Sequence, residues 1–198
     1  MIKRTAAAAA LTTAVLAVIT TGTTPAQAAP RTTTAVVTLT YSVSQAGQWA
    51  GAIAQGVQNW NAALHNVRFQ QATSSAPADF VYKATTGWPQ TTLGPVFPGR
   101  NRGQVQLGQE AVAEGYDMTR IAAHETGHIL GLLDDYSGPC TELMSGHGPG
   151  TSCTNAVPDA AEAAQADRNY AVGAAAFRPD HEQVVIDIWA APASAPAR

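Results

Sequence analysis

Residues 124–135 read HETGHILGLLDD, and this stretch constrains the fold more than any other. On a helix, positions i and i+4 share a face. His124 and His128 therefore point the same way, with imidazoles close enough to hold one ion. Glu125 lies about 100° further round the helix. It is poorly placed as a ligand beside them, but it can reach a water bound to the ion. H-E-x-x-H is the zinc-hydrolase arrangement for that reason. A catalytic zinc takes three protein ligands and keeps one position open. Gly131 ends the helix and turns the chain back, so that Asp134 comes from outside the helix as the third ligand. Chance produces H-E-x-x-H in under about one per cent of chains of this length, and the fixed Gly and Asp lower that by a further factor of about a few hundred.

The flanking residues fit the same local structure. Asp117 is a helix N-cap, the helix runs from about Met118 to Leu130, and Gly131 takes the left-handed conformation that stops it. Upstream, AVVTLTYSV at 35–43 alternates as a half-buried strand, with Val37, Leu39, Tyr41 and Val43 on one face. Trp49, Ile53, Val57, Trp60 and Leu64 form one apolar stripe and predict a long helix over about 45–66. Short strands are expected at 67–71, 80–83 and 104–107, with loops at 86–103 and 134–155. A last helix is expected over 158–176, with Pro158 in its first turn. In the tail, VVIDIW reads as a strand, and the closing APASAPAR as disordered.

The chain has 198 residues, which suits one domain with extra segments at its ends. Lys3 and Arg4, the apolar run 6–19 and Ala26-Gln27-Ala28 form an export signal over 1–29. A short pro or linker segment follows at 30–34, then a domain over 35–177 and a tail over 178–198. No later segment is long and apolar enough to span a bilayer. Of 11 basic and 14 acidic residues, the signal carries two basic ones, so the exported part has a formal charge of −5. That argues against nucleic acid or an anionic membrane as partner. Two cysteines in an exported chain favour a Cys140–Cys153 disulfide, worth about 3 kcal/mol in the chain-entropy model.

The motif resembles that of the metzincin metalloproteases, H-E-x-x-H-x-x-G-x-x-H followed by a methionine turn. It departs at the last position, where Asp134 stands in place of His. With C-T-E-L-M-S-G at 140–146, the cysteine pair, Trp60-Asn61 and D-M-T-R at 117–120, the chain is similar to the snapalysins, small neutral zinc proteases secreted by Streptomyces and relatives. The resemblance covers about residues 35–177, and the tail has no counterpart in it. It implies an α+β metzincin-like single domain: a small mixed twisted sheet, a long N-terminal helix, a zinc-site helix and a C-terminal helix. It also implies zinc on His124, His128 and Asp134, Glu125 as general base and Met144 as the apolar floor under the histidines. Calcium at Asp117 and Thr119 is a further implication, although an N-cap role accounts for Asp117 alone. Tyr136 either donates its hydroxyl to a developing oxyanion or simply packs. Asp135 is either a support beside the ligand or exposed, and His65, His147 and His181 are surface or structural.

The expected function is a secreted zinc endopeptidase, monomeric, acting on protein or peptide substrates, with a separate secreted inhibitor protein as a candidate partner. The substrate is expected to pair with an exposed strand edge, with 104–107 as the candidate. The aspartate ligand lowers the charge of the site, so activity should peak at neutral pH or above. No long inhibitory segment separates the signal from the first strand, which leaves control to export, metal loading or an inhibitor. Two other readings are a zinc-binding protein without catalysis, against which the intact Glu125 argues, and an interaction module that uses the tail.

Overall fold

The computed structural model describes residues 35–73, 77–100, 102–171 and 183–189. The export signal, the segment 30–34, the end of the last expected helix, His181 and the closing APASAPAR lie outside these residues. Among the described residues the elements are β1 Val37–Gln45, α1 Ala50–Ala63, β2 Val67–Gln71, β3 Phe80–Thr85, β4 Gln90–Leu93, β5 Gly103–Gly108, α2 Gln109–Ala113, α3 Met118–Ile129, α4 Ala160–Ala171 and β6 Gln183–Ile186. The strands form one mixed sheet in the order β2-β1-β3-β5-β4-β6. β1, β2, β3 and β5 run parallel, while β4 is antiparallel to both β5 and β6. The mixed α+β architecture expected from the sequence is the one found.

Alternation explains how the sheet packs. Leu39, Tyr41, Phe69, Phe80, Tyr82, Val105 and Leu107 are buried in one cluster with Trp49, Ile53, Val57 and Trp60. The residues between them, such as Arg68, Lys83 and Gln104, are exposed. Parallel strands are usually apolar on both faces. These keep the half-buried pattern because only one face meets the helices. The α1–α3 contact is close. A Cβ on Gly56 would lie 3.1 Å from the backbone of Ala123, and Trp60 Nε1 donates to Ala123 O at 2.8 Å. Tyr82, from β3, bonds through its hydroxyl to Thr126 Oγ1 at 2.6 Å, tying the sheet to α3.

Three local expectations change, and one short helix is new. The first helix begins at Ala50 rather than near 45, because β1 continues to Gln45 and Gly47, at φ +55, starts a short 3₁₀ turn over Gly47–Trp49. The expected loop 86–103 contains β4, whose QTTL lacks an apolar run; its Thr91 and Thr92 are nonetheless buried. The strand expected at 104–107 exists, but it lies between β3 and β4 and has no free edge for a substrate. The five-residue α2 has too little periodicity to be read from sequence. Elsewhere α4 starts at a reciprocal cap: Asp159 Oδ1 accepts from Glu162 N at 2.8 Å, and Glu162 Oε2 accepts from Asp159 N at 2.7 Å.

The close α1–α3 approach predicts that Gly56→Val lowers stability by about 1–3 kcal/mol through overpacking. Urea unfolding checks this; an unchanged midpoint would show that the helices can part at no cost.

Candidate metal centre

α3 starts and stops as its sequence dictates. Asp117 Oδ1 accepts from Arg120 N at 2.8 Å, an N-cap. At the other end Gly131 sits at φ +83, its N–H bonds His128 O at 2.9 Å, and Leu132 N–H bonds Gly127 O at 3.1 Å. That pair of bonds is a Schellman stop. It reverses the chain and brings Asp134 back over the helix face that carries His124 and His128.

Both imidazoles are aimed by backbone carbonyls. His124 Nδ1 lies 3.0 Å from Leu143 O, and His128 Nδ1 lies 2.8 Å from Leu132 O. A carbonyl only accepts, so each Nδ1 carries the proton and each Nε2 faces the other way. The Leu132 carbonyl belongs to the turn that stops the helix, and the Leu143 carbonyl to the methionine loop. Orientation of the second ring nitrogen by such a bond is the usual support of a metal-binding histidine.

The two Nε2 atoms meet two carboxylates. Asp134 Oδ1 is 3.1 Å from His124 Nε2 and 3.4 Å from His128 Nε2. The second acid comes from the tail: Asp187 Oδ2 is 3.5 Å from His124 Nε2 and 3.1 Å from His128 Nε2. All four ligand atoms lie within 4.8 Å of one another. Zinc bonds of about 2.0–2.1 Å in a tetrahedron place ligands about 3.3–3.4 Å apart, close to the spacing of the four His–Asp pairs here. His124 Nε2 and Asp134 Oδ1 are buried, and despite their separation their geometry makes no hydrogen bond. A cation at the centre would satisfy both, so the donor set fits zinc.

The electrostatics lead to the same conclusion. Burial disfavours the imidazolium of His124, but Asp134 and Asp187 outweigh it and push its pKa up to about 9. His128 is raised for the same reasons, again against its burial. Asp187 is buried, which alone would raise it, yet the two histidines hold it well below the usual carboxylate range. The cluster thus requires positive charge in its midst, supplied by protons or by a metal ion.

Glu125 stands beside this cluster and is fully buried. Its Oε2 accepts from Thr91 Oγ1 of β4 at 2.6 Å, while Oε1 has no partner among the described residues. Burial raises the Glu125 pKa well above its ordinary value, and the nearby Asp187 raises it further. Met144 is buried against Gly127 of α3, between the two histidines in sequence. A Cβ on Gly127 would meet its sulfur at 2.4 Å, so only glycine at that position leaves room for the floor.

The methionine loop is held from both sides. Arg120, fully buried in α3, donates through Nη2 to Gly146 O at 2.9 Å and to Ser145 Oγ at 2.9 Å, and through Nη1 to Asn155 O at 2.6 Å. Glu162, at the start of α4, accepts from Leu143 N at 3.1 Å and Met144 N at 2.6 Å. The disulfide expected between Cys140 and Cys153 is formed and closes the same loop. Tyr136 donates its hydroxyl to Asp187 Oδ1 and stacks on His147 at 4.2 Å between ring centres. Asp135 is exposed and accepts from Ser137. His65 pairs with Asp167 at 3.1 Å, far along the chain from the cluster.

Sequence reasoning therefore brought together His124, Glu125, His128, Asp134 and Met144, and missed Asp187, Thr91, Arg120 and Glu162. An acid inside the apolar VVIDIW was a signal for the first, and the D-x-x-E at 159–162 for the last. Nothing in QTTL singles out Thr91.

The raised histidines set a pH signature for the chelator-treated protein. A folded pKa above the unfolded value gives stability that is complete below about 6.5 and lost as pH rises through about 9. The metal-free protein should therefore unfold at lower urea near about pH 10 than near about pH 6. Equal midpoints would contradict the charge pattern.

Comparison with known proteins adds a family to this geometry. The model of the Streptomyces extracellular neutral proteinase (M7) family matches residues 36–173. The chain is 45% identical over 150 residues to an extracellular small neutral protease of Streptomyces sp. (strain C5), covering 76% of this chain and 63% of that protein. It is 43% identical over 139 residues to one of Streptomyces coelicolor, covering 70% and 62%. It is 42% identical over 141 residues to one of Streptomyces caespitosus, covering 69% and 99%. The chain thus spans under two thirds of the first two relatives and nearly all of the third. With the H-E-x-x-H helix, the third carboxylate and the methionine loop all inside the matched span, the chain belongs to the Streptomyces extracellular neutral proteinase (M7) family.

Proposed function

We propose that the protein is an exported zinc-dependent endopeptidase, with zinc held by His124, His128 and Asp134. The observation that carries this reading is the convergence of two carbonyl-aimed Nε2 atoms and Asp134 Oδ1 at the spacing of a tetrahedral zinc site. Zinc, when bound, acidifies water and polarises a peptide carbonyl. The names of the extracellular small neutral proteases that the chain resembles support both the peptide substrate and export.

The chain's own groups do the rest. Thr91 holds Oε2 of Glu125, which leaves Oε1 free to take a proton from the attacking water and return it to the leaving amine. Tyr136 has its hydroxyl aimed into the site, where it can donate to the developing oxyanion. β4 is the strand beside Glu125, and β6 occupies its outer edge, so a peptide substrate pairs along β4 in place of β6 rather than along 104–107. Calcium at Asp117 and Thr119 rests on the family resemblance; the Asp117 side chain is engaged as the helix cap.

Glu125→Gln separates metal binding from chemistry. The variant should retain one zinc and hydrolyse a fluorogenic peptide about 10²–10⁴-fold more slowly than the unaltered chain. Chelator should abolish hydrolysis in the unaltered chain, and zinc should restore it. Undiminished hydrolysis by the variant would remove Glu125 from the mechanism.

A further inference from the structure

The metal cluster has one more ligand than a peptidase needs. His124, His128 and Asp134 lie inside the family-matched span 36–173, and Asp187 lies outside it. A catalytic zinc must keep one position for water and substrate, and Asp187 Oδ2 stands where that position should be, 3.1 Å from His128 Nε2 and 3.5 Å from His124 Nε2.

The rest of the segment occupies the site as a peptide would. β6 pairs antiparallel along β4, with Val185 opposite Thr91 and Ile186 opposite Gln90, and the pairing continues as Asp187 N–H bonds Pro89 O at 3.0 Å. Asp187 and Trp189 are fully buried, whereas Val184, Ile186 and Ile188 face outward. Trp189 stands edge-on to His124 at 5.2 Å and to Tyr116 at 5.1 Å between ring centres, filling the recess beside the metal ligands. Trp189 Nε1 and Tyr116 OH are both buried there, with no partner among the described residues.

We propose that residues 183–189 are a built-in inhibitor: Asp187 is a fourth metal ligand that closes the open position, β6 covers the β4 edge, and Trp189 plugs the adjoining recess. This rests on the zinc-peptidase reading. The chain that carries residues 183–189 in this place is then latent, and activity requires the segment to leave. Tyr136 is tied up with it, since its hydroxyl is donated to Asp187.

The test uses the zinc-loaded full-length chain, Asp187→Ala, and the isosteric Asp187→Asn as a guard against misfolding. Acetohydroxamate, a small zinc chelator, reports whether the metal position is open without any need for catalysis. Calorimetry should show it binding both variants at least about tenfold more tightly than the unaltered chain, and hydrolysis of a fluorogenic peptide should rise about a hundredfold or more. A synthetic peptide of residues 183–189 should inhibit Asp187→Ala, and its Asp-to-Ala analogue at least about tenfold less well. Equal acetohydroxamate affinity in the unaltered chain and both variants would overturn the proposal. Differing affinities with no hydrolysis by any of the proteins would uphold Asp187 as the closing ligand and overturn the peptidase reading instead.

Discussion

Two hydrogen bonds determine the site. The Leu143 and Leu132 carbonyls take the Nδ1 protons of His124 and His128 and so aim both Nε2 lone pairs at one point. Each carbonyl is fixed by something built for another purpose. Leu132 belongs to the Schellman turn that Gly131 makes possible, and Leu143 to a loop that the disulfide closes. A helix carrying H-E-x-x-H is thus not sufficient. Its C-terminal turn and a loop distant in sequence must both be in place before the histidines form a metal site.

Burial makes the arrangement rigid and electrostatically demanding. Arg120 brings a guanidinium into the core and spends its donors on the carbonyls of the methionine loop, while Glu162 receives the amides of Leu143 and Met144 from the other side. A buried charge left without partners is strongly destabilising, so these bonds hold the loop in one geometry. The same logic applies at the cluster, where two carboxylates and two imidazoles tolerate burial only around a positive charge.

α3 was legible because its signals are local: a cap, a four-residue histidine spacing and a glycine stop all lie within residues 117–131. β1 and the stripe of α1 were legible from their periods. β4 was not, since four residues with two buried threonines carry neither an apolar run nor a turn signal. That omission displaced the expected substrate edge onto β5, an interior strand. The strand in VVIDIW was legible, but its place was not. Nothing in a sequence states that an acid at 187 returns to a helix at 124–128, because that contact depends on β6 pairing along the unseen β4.

The tail also changes how control can work. The sequence leaves latency to export, metal loading or a separate inhibitor, whereas the fold places an acid of the chain's own tail on the metal position. The central claim is that His124, His128, Asp134 and Asp187 surround one ion. The most direct test is anomalous diffraction at the zinc edge from crystals of the zinc-loaded full-length protein. One peak equidistant from the two Nε2 atoms, Asp134 Oδ1 and Asp187 Oδ2, with Glu125 outside bonding distance, is the predicted result. A peak bound by the histidines and Asp134 but with water in place of Asp187 would contradict the closed site, and a peak elsewhere would contradict the metal centre itself.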